Sequence, residues 1–179
     1  FIGSGDSVVL SGGVIYNNAE TMEFDVGGSG TLTLNDYSIE GAGDCVFDGS
    51  GISGTISANL SPSARVIISG ADLDGSTITG DVNLKGSTVT TLTDMVITGA
   101  LDFDTAGTYN LVDCTVEEVT NSSGGAVTLN LTNSTVNTNT GPSITVVSLA
   151  TVTFTGIPIG AEFRVYDDDL DGNEITIGT

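Results

Sequence analysis

Short apolar runs divided by turn residues recur along the chain, and one six-residue pattern organises them: apolar, any, turn residue, mostly small, any, apolar. It appears as Leu10-Ser-Gly-Gly-Val-Ile15, Leu34-Asn-Asp-Tyr-Ser-Ile39 and Ile68-Ser-Gly-Ala-Asp-Leu73. Further copies are Leu84-Lys-Gly-Ser-Thr-Val89, Leu92-Thr-Asp-Met-Val-Ile97, Leu111-Val-Asp-Cys-Thr-Val116 and Leu131-Thr-Asn-Ser-Thr-Val136. The third position is always Gly, Asp or Asn, the residue types that accept left-handed backbone angles.

Two apolar residues five apart lie on opposite faces of an uninterrupted strand, because side chains alternate. A turn residue between them resets the phase, so both point inward around a corner. The fourth position then also faces inward, and it is mostly small: Gly13, Ala71, Ser87, Cys114 and Ser134. Tyr37 and Met95 break that rule and require a roomier coil. Short strands joined by sharp corners predict an all-β chain, a parallel β-solenoid over residues 1–142. Starts at 92, 111 and 131 give a coil of about 20 residues. The starts at 84 and 92 read as two sides of one coil, and an extra coil is expected around Ile52 and Ile56. Six or seven coils at ~4.8 Å each make a rod near ~30 Å long. Helix signals are absent: no stretch has helical spacing, and Gly or β-branched residues stand almost everywhere. A β-sandwich is the competing all-β fold, and the recurring corner argues against it.

After Thr138-Asn-Thr-Gly-Pro142 the corner pattern stops and longer alternation begins. Val152 and Phe154 alternate with threonines, Gly156-Ile-Pro-Ile-Gly160 makes a turn, and Phe163 and Val165 alternate with Arg164 and Tyr166. Residues 143–179 therefore read as a C-terminal β-meander, a cap or the start of a small antiparallel sandwich. A cap has a physical job, since an open solenoid end exposes unpaired strand edges.

Composition narrows the function. The formal charge is −20, with 23 acidic residues against three basic ones and no His. Nucleic-acid phosphates and anionic membranes both demand clustered Lys and Arg, so neither is the expected partner. The lack of His removes imidazole bases, His-containing catalytic triads and the HExxH metal motif. No apolar run is long enough to cross a bilayer as a helix. The chain opens on Phe1 rather than Met and ends on what reads as a strand cut short, which points to processing or to a larger chain. The ordinary reading of the acidity is solubility and self-repulsion. Its functional reading is cation binding or attachment to a basic surface. Cys45 and Cys114 are the only cysteines; two buried thiols are the plain reading, and a disulfide the alternative.

The run from Leu111-Val-Asp-Cys-Thr-Val116 through Leu131-Thr-Asn-Ser-Thr-Val136 resembles rungs of right-handed parallel β-helix proteins. Such rungs occur in bacterial surface proteins, polysaccharide-active enzymes and bacteriophage tail fibres or spikes. The segment Thr153-Phe-Thr-Gly-Ile-Pro-Ile-Gly-Ala-Glu-Phe-Arg-Val-Tyr166 resembles a strand pair of modular phage virion proteins, where Ig-like β-domains follow fibrous parts. Together these resemblances imply a non-enzymatic virion component, a capsid decoration or tail fibre protein. They further imply a virion or extracellular location, a homo-oligomer such as a trimer, and capsid or tail proteins as partners. A bacterial adhesin that binds glycan or protein is the second reading, and a polysaccharide-degrading enzyme the third.

The sharpest candidate site is Asp167-Asp-Asp169-Leu-Asp171-Gly172-Asn-Glu174, which matches the D-x-D-x-D-G opening of calcium loops. Asp167, Asp169 and Asp171 are the candidate calcium ligands. The twelfth position is Gly178 rather than Glu, so the loop is not an EF-hand, and a plain Asp-Gly hairpin turn competes with it. No other cofactor is expected. Asp102 and Asp104 are two apart and could share a strand face, as a pair of glycosidase carboxyls would, but in so acidic a chain such pairs arise by chance. Glu117 and Glu118 are expected on opposite faces. Asn59, Asn121, Asn130 and Asn133 open N-glycosylation patterns that chance alone produces in so Asn- and Thr-rich a chain. The four tyrosines are dispersed and form no evident sugar-stacking platform.

Overall fold

The computed structural model describes residues 2–86, 88–149, 165–166 and 174–175. Among them every regular element is a β-strand, and within residues 2–149 every strand pairing is parallel. The chain winds as a β-solenoid of about seven coils, as its corner pattern predicts. Each coil contributes to up to three ladders. The first face stacks Ser7–Ser11 and the opening halves of Thr31–Gly41 and Ile52–Leu60, continues only as the isolated Ser53–Asp72 bridge in the next coil, and resumes as a separate ladder of Thr91–Thr93, Gly107–Val112, Val127–Thr132 and Ile144–Leu149. The second runs from Val14–Asn17 through Thr77–Thr79 to the starts of Val96–Phe103, Thr115–Asn121 and Thr135–Asn139. The third stacks Met22–Asp25, Cys45–Asp48, Arg65–Ser69 and Asp81–Leu84 before the ends of those same long strands. The first face thus includes Ile144–Leu149, which the sequence assigned to the C-terminal meander.

Register fixes the core. On the second ladder Ile39, Ala58, Ile78, Ile97 and Val116 lie directly over one another, and all are buried. Phe47, Ile68, Leu84 and Phe103 do the same on the third. Phe24 caps that column by stacking on Phe47 at 4.9 Å. Burying a large aliphatic or aromatic side chain contributes about 1.5–3 kcal/mol, so a continuous column stabilises every coil it crosses. The coil anticipated around Ile52 and Ile56 is present as the long strand Ile52–Leu60, whose register shift opposite Leu34–Tyr37 carries it round the corner, and Leu84 and Leu92 sit on adjacent faces of the winding.

The seven third-position residues all have positive φ: Gly12 (62°), Asp36 (51°), Gly70 (84°), Gly86 (79°), Asp94 (54°), Asp113 (55°) and Asn133 (51°). They belong to two different corners, however. Gly70 and Gly86 turn the chain from the third face to the first, and the other five turn it from the first to the second. Sequence spacing alone could not separate them, because both corners need the same local backbone.

The inward fourth positions of the first-to-second corner form their own column: Gly13, Tyr37, Ile56, Ser76, Met95, Cys114, Ser134. Large members stand beside small ones. A Cβ on Gly13 would come within 3.1 Å of the Tyr37 hydroxyl, so the glycine makes room for the tyrosine. Met95 is wholly buried between Ser76 and Cys114. Local complementarity, rather than a wider coil, accommodates both.

The thiols of Cys45 and Cys114 are buried and unpaired, the plainer of the two readings. Asp167, Asp169 and Asp171 lie outside the described residues; on either side of them in the sequence, Tyr166 and Glu174 pair across an antiparallel two-strand ladder.

Candidate functional site: the polar array on the third face

Outward positions on the third ladder stack as regularly as the core does, and they gather both basic residues among those described. One column runs Asp44, Arg65, Asp81, Ala100, Glu118 and Thr138. The next runs Val46, Ile67, Asn83, Asp102 and Thr120. Lys85 follows Leu84 at the edge, where its backbone N–H donates to Ile68 O. Arg65 stands between Asp44 and Asp81 in its column, which relieves the repulsion that same-sign charges one strand spacing apart would generate.

The bonds within the array are specific. The Asp102 carboxylate accepts from Asn83 Nδ2 (2.7 Å), Thr120 Oγ1 (2.9 Å) and Ser122 Oγ (2.6 Å), tying three successive coils together. Asp44 Oδ1 accepts from the backbone N–H of Arg65 (3.0 Å), and Asp81 Oδ1 from that of Ala100 (2.8 Å). On the first face Asp74 Oδ1 likewise accepts from Thr93 N–H at 2.8 Å. Carboxylate-to-backbone bonds of this kind are charge-assisted and stronger than neutral ones. Part of the chain's acidity therefore fastens each coil to the next, a role beyond solubility. The Arg65 Nε stands 3.6 Å from Asp44, with the arginine side chain 53% exposed; such a surface pair contributes little stability but holds the guanidinium in place.

Ala100 is the small member of its column. Beside it a hollow of about 330 Å³ opens, floored by Ala64 and Val82 and walled by Arg65, Asp81, Asn83, Asp102 and Thr120.

The carboxylate pairs take different places from those of a glycosidase. Asp102 belongs to the array, whereas Asp104 turns to the following corner, where it accepts from Gly86 N–H and Thr105 Oγ1, both at 2.8 Å. Glu117 and Glu118 do not point to opposite faces. They occupy the corner between buried Val116 and Val119, so both lie outside, bonded to Asn137 and Thr140 respectively. Among the described residues no three His, Cys, Asp or Glu side chains converge as metal ligands, and no helix is long and apolar enough to cross a membrane. Asp167, Asp169 and Asp171 fall outside that description.

Of the glycosylation patterns, Asn59 is exposed, but Asn121 is only 7% exposed and donates through Nδ2 to Gly125 O (2.8 Å) and Pro142 O (2.7 Å). Asn130 Nδ2 donates to Asn110 Oδ1 at 3.0 Å, forming an asparagine step on the outside of the first ladder. Asn133 is the corner residue itself. The tyrosines remain dispersed: Tyr16 is exposed and bonded to Glu40, which raises its phenol above the ordinary value, while Tyr109 is buried against Phe103 at 4.5 Å.

The array escaped sequence reading because its members lie 16 to 21 residues apart, on separate copies of a repeat; the only available signal was the register itself. No family model matches the chain, and no curated protein or solved structure matches it either.

Proposed function

We propose that this chain is a non-enzymatic structural protein: a rigid acidic rod that assembles with copies of itself and displays its outer faces. The observation that supports this best is the use made of its outward carboxylates. Asp44, Asp74, Asp81 and Asp102 all accept hydrogen bonds from a neighbouring coil, so each serves the integrity of the winding. The finer reading is a virion component, a capsid decoration or tail fibre protein bound to capsid or tail proteins. It draws support from the resemblance of residues 153–166 to phage virion segments and from the stiffness that stacked ladders confer.

The test is the native mass of the purified chain by light scattering, with and without calcium. A stable multiple of 18.0 kDa, trimeric for a fibre, is the expected result. Assembly only with calcium assigns that ion to Asp167, Asp169 and Asp171. A monomer at every concentration and calcium level overturns the self-assembling reading and shifts weight to a surface adhesin, which the hollow beside Arg65 favours.

A further inference from the structure

We infer that the hollow on the third face is a binding site for an uncharged carbohydrate. Three features carry this, none of which depends on the assembly of the rod. The first is shape: Ala100 leaves a recess of about 330 Å³ on the third face, at the lower end of small-ligand site volumes.

The second is chemistry. Sugar hydroxyls donate and accept at once, and the walls offer both roles side by side. Arg65 meets Asp44 through Nε, and among the described residues its terminal guanidinium nitrogens have no salt-bridge partner. Asn83 uses its amide nitrogen on Asp102, and its carbonyl oxygen accepts no hydrogen bond among the described residues. Asp81 engages one carboxylate oxygen with Ala100 N–H and keeps the other for a ligand. Asn83 is held by Asp102 and Asp81 by the Ala100 N–H, so these two need little ordering on binding, while Arg65 is tethered only by its pair with Asp44.

The third is charge. A chain of −20 repels polyanions, which excludes uronate or sulfated polymers. Arg65 supplies hydrogen-bond donors at the rim beside the Asp81 and Asp102 acceptors. An uncharged glycan does not meet that repulsion and finds donors and acceptors side by side.

Native electrophoresis of the full chain through gels containing dextran, mannan or galactan, with alginate as the acidic comparison, tests the site. Retardation by at least one neutral polymer is expected, weakened at least tenfold in Arg65→Ala and in Ala100→Leu, which fills the recess without removing a hydrogen bond. Unchanged melting of each variant shows that the rod is intact. No retardation by any neutral polymer, retardation by alginate alone, or equal retardation of wild type and folded Ala100→Leu overturns the assignment.

Discussion

Ser76 Oγ lies 3.0 Å from the backbone nitrogen of Ile56 and accepts its hydrogen bond across one full coil. Ser134 does the same for Cys114 at 2.9 Å. Where the left-handed corner interrupts the regular ladder, an N–H would be orphaned inside the rod, and the inward serine of the next coil supplies its acceptor. Ser76→Ala should therefore cost about 1–3 kcal/mol, the penalty for a buried donor left without a partner. Urea denaturation followed by circular dichroism measures it; a change below ~0.5 kcal/mol would show that the serine is dispensable.

The corner apolar pairs are the framework of the core. Leu111 is wholly buried between Leu92 and Leu131, so Leu111→Asp places an unpaired charge in the column and should cost at least ~3 kcal/mol. Thermal melting reports it, and a wild-type midpoint for this variant would be incompatible with the solenoid.

Gly54 has φ of 122°, and a Cβ there would lie 1.9 Å from the Leu34 carbonyl oxygen of the coil below. Gly54→Ala must push two ladders apart and should destabilise by more than ~2 kcal/mol. If its urea midpoint matches that of wild type, the close approach at this corner is not present in solution.

Burial raises both the Cys45 and Cys114 thiols above the ordinary value of 9.0. Raised folded-state values mean that the folded chain holds these protons more tightly than the unfolded one. The associated stability is thus complete below the unfolded thiol value and lost as pH climbs above it. Urea midpoints should fall between pH 8 and pH 10, and the fall should be shallower in Cys114→Ser. Serine already stands at the equivalent corner position in Ser76 and Ser134, so this substitution should leave neutral-pH stability within ~1 kcal/mol. Cys45→Ser puts a hydroxyl between Met22 and Val66 on the third ladder and should cost more.

The corners were the legible part of this fold. Asp36, Asp94, Asp113 and Asn133 advertise a left-handed residue in sequence, and the apolar residues around them fix which side faces in. What sequence could not supply was the assignment of Gly70 and Gly86 to a second corner, or the outward partners of Asp102. Those depend on how many residues separate one corner from the next, and the loops are uneven: Ile68 stacks on Leu84, whereas Leu84 stacks on Phe103 after a longer excursion. Glu117 and Glu118 were misassigned for a related reason, since simple alternation fails across a bend.

Within the winding, ladder partners lie one coil above or below. Length is consequently a free variable of the architecture. A duplicated coil inserted beside its original keeps the contacts to the coils above and below, adds one new contact with its own copy, and extends the rod by ~4.8 Å. Such a chain behaves as a ruler graduated in strand spacings, and the reach of whatever it displays can be reset by copying a stretch of about 20 residues.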